Sequence, residues 1–155
     1  MILADVIEHI EQDALENMFQ KISNDLLVED GILVGHTSPN KLHYEIHYEQ
    51  KRRCAQRLGI YLPKNPRSVY EDLMHINEQT EEGLNNALSK YFEYVYTWIP
   101  LANDFFGTLR NNESFYNTIE KNDIYCIASN TPISLDEILC IFKQERIEEL
   151  RKTNY

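Results

Sequence analysis

A chain of 155 residues with 43% hydrophobic and 26% charged residues has the material for one domain with a real core. Its formal net charge of −10 argues against a general binder of nucleic acid or of anionic membranes, and it suits a partner that is itself basic. Cys54, Cys126 and Cys140 are odd in number and widely spaced. They support neither a disulfide framework nor a CxxC zinc site and read as reduced thiols of a cytoplasmic protein.

The N-terminal MILADVIEHIEQD has no basic n-region and no small-residue cleavage site, so it does not read as a secretory signal. No apolar run approaches the ~18 residues of a membrane span. Residues 2–27 predict a long amphipathic helix, because Ile2, Val6, Ile10, Ala14, Met18, Ile22 and Leu26 step by four. The opposite face carries Asp5, Glu8, Glu11, Asp13 and Glu16, with Lys21 its only base. Residues 29–31 read as a turn, and residues 32–34 as a short strand.

Ser38-Pro39 looks like an N-cap followed by proline at the first helical position. Residues 41–58 fit two periods: Leu42, Tyr44, Ile46 and Tyr48 alternate like a strand, whereas Leu42, Ile46, Cys54 and Leu58 fit a helix. The Ser-Pro start and the EQKRRCAQRL continuation favour the helix. Ser68 and Glu71 have the spacing of a capping box, in which the serine oxygen accepts from the third residue's N–H and the glutamate reaches back. The helix that follows should bury Val69, Leu73 and Ile76.

Residues 80–107 are the most apolar and aromatic stretch. Leu84, Leu88, Tyr91, Val95, Trp98, Ala102 and Phe105 fall on one helical stripe, so this segment is the expected central helix, with Thr80 as N-cap, a kink at Pro100 and a stop at Gly107. Trp98 and Phe105 should be buried. A shorter helix is expected from Asn111. Residues 124–128, IYCIA, are the best strand candidate and could pair with residues 32–34. A second capping box, Ser134 to Glu137, should open a last helix. The expected architecture is therefore a mainly α bundle of about five or six helices, with room for one small two-stranded β element.

Charge is segregated along the chain. Residues 1–31 hold eight acids and one base, residues 41–67 two acids and seven bases, and residues 71–82 five acids and no base. Either the acidic and basic segments pack side by side, or an acidic patch stays exposed as the working surface. On the second reading the candidates for partner contact are Asp5, Glu8, Glu11, Asp13 and Glu16 together with Glu71, Asp72, Glu78, Glu81 and Glu82. Tyr94, off the central stripe beside Glu93, is a candidate interface anchor, the alternative being a core-edge tyrosine.

Catalytic patterns are weak. His43 and His47 share a helical face, but Tyr44 stands where a metalloprotease has its glutamate, and no third ligand follows. Asp72 and His75 have the carboxylate-x-x-His spacing of di-iron bundles, which need that motif twice. There is no GxSxG, no P-loop and no dinucleotide fingerprint. No cofactor and no catalysis are expected.

In size, acidity and lack of a catalytic motif, over its whole length, the chain resembles the immunity proteins of bacterial toxin systems, which include antidotes to colicin-type nucleases and to contact-dependent inhibition toxins. No motif of that class is matched residue by residue, so no functional position carries over. The resemblance implies an antidote that binds a cognate toxin, often a basic nuclease, and covers the surface it uses for nucleic acid. A phage or plasmid regulator or anti-defence module acting on a basic nuclease has the same physical profile. A helical-bundle metal enzyme using His43, His47, Asp72 or His75 is the alternative from another class.

Overall fold

Two strands that the sequence presents as helix decide the architecture. The structure is a computed structural model and describes residues 1–99 and 122–134. It contains β1 (Ile2–Ala4), β2 (Ile32–Thr37), β3 (Tyr94–Trp98) and β4 (Ile124–Ser129), hydrogen-bonded in the order β1-β2-β4-β3. The expected mainly α bundle of five or six helices is therefore wrong: the described residues form an α/β fold around a four-stranded mixed sheet. β1 and β2 are parallel, and β4 runs antiparallel to both β2 and β3.

A parallel pair needs a long crossover. Here it is a 3-10 turn (Ile7–His9), helix α1 (Gln12–Lys21) and a π-helical turn (Ile22–Leu26). Between β2 and β3 lie a π-helical turn (His43–His47) running into α2 (Tyr48–Arg57), then α3 (Val69–Met74) and α4 (Glu81–Leu88).

Alternation along the strands separates two faces. Leu33, Ile124, Cys126 and Ala128 turn inward and pack with Ile7, Leu15, Phe19 and Ile22 from the crossover and with Leu84, Leu88 and Phe92 from α4 and its exit. Gly35 belongs to this inner face. A Cβ there would overlap Cys126 Sγ and lie 3.7 Å from Ile7 Cδ1, so glycine lets β2 close on the core. The Asn85 amide donates to Thr97 Oγ1 at 3.2 Å and ties α4 to β3.

The expected helix over residues 2–27 breaks at Asp5, whose φ of 53° is left-handed and tolerable for aspartate. The Asp5 N–H donates to the His36 carbonyl at 3.1 Å, ending β1 where β2 also ends. The expected central helix stops at Leu88, and Tyr94 to Trp98 leave it as a strand. Tyr-Val-Tyr-Thr-Trp is β-branched or aromatic at every position, which suits a pleated surface. Trp98 is 38% exposed rather than buried.

The helix after Ser68 forms with its capping box but ends at Met74, and Val69, Leu73 and Ile76 are exposed rather than buried. The cap expected at Ser38 belongs to Asn40, whose side-chain oxygen accepts from the Leu42 N–H at 3.0 Å, while Ser38-Pro39 is a cis bond ahead of the helix. Residues 41–57 are helical, as favoured. Phe105, Pro100, Gly107, the helix expected from Asn111 and the last helix expected after Ser134 lie outside the described residues.

Candidate functional site

The register sets Ala4, His36, Tyr125 and Trp98 side by side across the sheet, one residue from each strand. Their neighbours along the strands face the core, so this row faces away from it. The His36 and Tyr125 rings lie 4.7 Å apart, and Tyr125 stacks on Trp98 at 5.7 Å with 20° between planes. Two carboxylates flank His36 in this row. Asp5 Oδ1 is 2.9 Å from His36 Nδ1, and Asp123 Oδ1 is 3.8 Å from His36 Nε2. The positive φ of Asp5 turns the chain at the sheet's end, and Asp123 directly precedes β4. Burial raises the Tyr125 phenol above its ordinary value, and Asp123 and Asp5 push it further in the same direction.

The strands and their flanks, residues 2–5, 32–37, 93–99 and 122–130, contain no Lys or Arg. Ring faces and carboxylates both attract cations. This end of the sheet thus brings ring faces and carboxylates together. Tyr94 lies on β3 two alternations before Trp98 and is half-buried, and the Glu93 carboxylate beside it pushes its hydroxyl up.

The acids singled out by the sequence scatter into different roles. Asp5 sits at the row and is 62% exposed. Glu8 is 1% exposed and accepts from the Thr37 hydroxyl at 2.6 Å, so it clamps the inner side of β2 and offers no surface charge. Glu11 and Asp13 are exposed at the start of α1. Glu16 is held below the usual carboxylate range by Lys90 Nζ at 2.8 Å and by Gln12. Glu71 is lowered by its capping-box bonds to Ser68 and also accepts from the Tyr44 hydroxyl at 3.2 Å.

Asp72 pairs with Arg67 at 3.3 Å, and Glu78 pairs with the same guanidinium, which lies 4.4 Å over the Tyr44 ring. Glu81 and Glu82 occupy the first turn of α4, with Glu82 exposed. Part of the acidic block 71–82 is therefore absorbed by the basic block before it. His36, Tyr125 and Asp123 were not singled out, and Trp98 was expected in the core and not at a site. The alternation Ile32, Val34, His36 and Tyr94, Tyr96, Trp98 was the signal that could have found them.

The metal candidates do not converge. His43 is half-buried, and burial, then Lys51 and His47, press its imidazole below the ordinary value. Asp72 is taken by Arg67, and the His75 ring packs against His9 at 5.0 Å. Among the described residues no group of three or more His, Cys, Asp or Glu could hold a metal ion. Burial pushes the Cys126 thiol up to about 12, the range of an unreactive core cysteine. Among the described residues no helix is long and apolar enough to cross a membrane.

No family model matches this chain, and no curated protein matches it. Among solved structures it is similar to small RNA methyltransferase HEN1, with 20% identity and a TM-score of 0.45, over 86% of this chain and 14% of that one. The chain thus spans a small part of that protein's length.

Proposed function

We propose that this chain is a non-enzymatic, cytoplasmic protein-binding domain that takes a basic partner, as an antidote of the toxin-neutralising class takes a nuclease. One observation carries the reading: a row of ring contacts, Tyr125 stacked on Trp98 and tilted against His36, with Asp5 and Asp123 beside His36, at a sheet end whose strands hold no Lys or Arg. A nuclease displays Lys and Arg for phosphates. Carboxylates in fixed positions draw those side chains in, and Tyr125 and Trp98 offer flat, rigid contact area for their stems and charged heads. The exposed acids at the start of α1, Glu11 and Asp13, add to the long-range field. A nuclease covered on that surface loses access to its substrate.

The test begins with capture from the native host. The captured protein should cleave nucleic acid and be inhibited by one equivalent of this chain. The double substitution Asp5→Asn with Asp123→Asn should slow association, whereas Trp98→Ala should speed dissociation. A captured partner that is acidic, or a rate that ignores the double substitution, would remove this reading's support.

A further inference from the structure

A second complementary pair of features lies away from the ring row. After α1 the chain turns at residues 25–31. Leu27 packs inward against the core, while Leu26 is exposed and Val28 is 78% exposed. Asp25, Glu29 and Asp30 flank them and are exposed. The turn is firmly held: the Gly31 N–H donates to the Val28 carbonyl at 2.8 Å, and the Ser129 hydroxyl donates to the Gly31 carbonyl at 3.0 Å. Val28 is therefore presented as a rigid apolar knob with negative neighbours.

The converse occurs where α2 ends. Gly59, at φ 73°, reverses the chain, and the Ile60 N–H donates back to the Ala55 carbonyl at 2.9 Å. The returning loop is pinned by the Tyr48 hydroxyl on the Pro63 carbonyl at 2.7 Å. Between helix and loop lies a cleft of about 240 Å³, lined by Arg52, Gln56, Gly59, Ile60, Tyr61 and Leu62. Tyr61 is 88% exposed on its wall. Of the six bases in residues 50–70, Arg52 and Arg53 pair with Glu49 and Arg67 pairs with Asp72 and Glu78, while Arg57, next in sequence to the lining Gln56, and Lys64, two residues past the lining Leu62, are exposed.

We infer that the cleft at the end of α2 receives the exposed Val28 knob, with Leu26 beside it, of a second copy of this chain, in a head-to-tail contact with Asp25, Glu29 and Asp30 facing Arg57 and Lys64. Knob and cleft match in apolar character and oppose in charge, and each copy carries both halves. A knob on one surface and a pocket on another make a heterologous contact, which recurs from copy to copy. The charges set orientation and disfavour knob-to-knob and cleft-to-cleft encounters.

Sedimentation of the full chain over a range of concentrations tests this. The average mass should rise with concentration. Val28→Asp, at an exposed site, should hold the protein monomeric without altering its unfolding midpoint. Reversing the knob charges (Glu29→Lys with Asp30→Lys) or the cleft charges (Arg57→Glu with Lys64→Glu) should each weaken self-association about tenfold or more, since like charges then face each other. Mixing the two variants should restore association. A wild type that stays monomeric at the highest concentration reached overturns the inference, even if the cleft then binds an added acidic peptide. So does a mixture of the reversed variants that fails to associate.

Discussion

Gly35 sits where β2 is pressed against the core, and Cys126 Sγ occupies the space that a side chain would need. Gly35→Ala should cost about 1–3 kcal/mol, the range for overpacking a core. Cys126→Ala in the same chain should return part of that loss, because the two sites share one volume. Denaturant midpoints of both singles and the double measure it; simple additivity would assign the cost to backbone rather than to the clash. Trp98 makes the opposite case. Stacked on Tyr125 but 38% exposed, it should cost only about 1–2 kcal/mol when cut to alanine, well short of the ~3–5 kcal/mol of a fully buried aromatic. A larger loss of stability would mean that the indole holds the core as well as the face.

At the level of elements, what was legible depended on how far each hydrogen bond reaches. Ser68 caps Glu71 with the expected reciprocal bonds, and Thr80 Oγ1 accepts from the Gly83 N–H at 2.9 Å, both over three residues. Spacing alone encodes such contacts. β1 and β3 have no such local signature. Ile2 pairs with Val34, and Tyr94 with Ser129, so their state is set by partners far along the chain, and the apolar spacing of both segments also fits a helix. The ring row was hidden for the same reason: His36, Tyr125 and Trp98 become neighbours only through register. On α2, Glu49 accepts from Arg52 and Arg53, which lower its carboxyl to about 2. A folded value below the unfolded one of about 4.3 stabilises the fold above pH 4.3 and loses that contribution as pH falls toward 2. A carboxyl-selective NMR titration should place the Glu49 midpoint near 2 in wild type and higher once Arg52→Gln removes the first donor. An unchanged midpoint would exclude the Arg52 pair as its cause.

For the molecule as a whole, the distribution of charge matters more than its sum. Glu8 is buried against Thr37, Glu16 pairs with Lys90, and Asp72 and Glu78 with Arg67, so these acids are engaged within the chain and the field a partner meets depends on which acids stay outward. The acids that stay outward include Asp5, Glu11, Asp13, Glu29 and Asp30. Association with a basic partner should therefore slow steeply as salt shortens the screening length to about 10 Å at 0.1 M. The Asp5→Asn and Asp123→Asn double should flatten that dependence, and Glu71→Gln should leave it unchanged, its carboxylate being held by Ser68 and Tyr44. Stopped-flow rates across ionic strength, read from the single tryptophan at the ring row, check both outcomes. Equal slopes for all three proteins would assign the charge to solubility.

The position of β4 has a consequence for how the chain is made. It lies between β2 and β3, which do not pair with each other. A nascent chain that has emerged only through Trp98 holds two separate halves of a sheet and no ladder to join them. Closure waits for residue 129, and then joins contacts far apart along the chain, from Thr37 with Ile124 to Ile32 with Ser129, in one late step. Folding should be slow and all-or-none, with no competent fragment released early. Tyr125 arrives with that same strand, so the ring row is assembled at the moment the sheet closes.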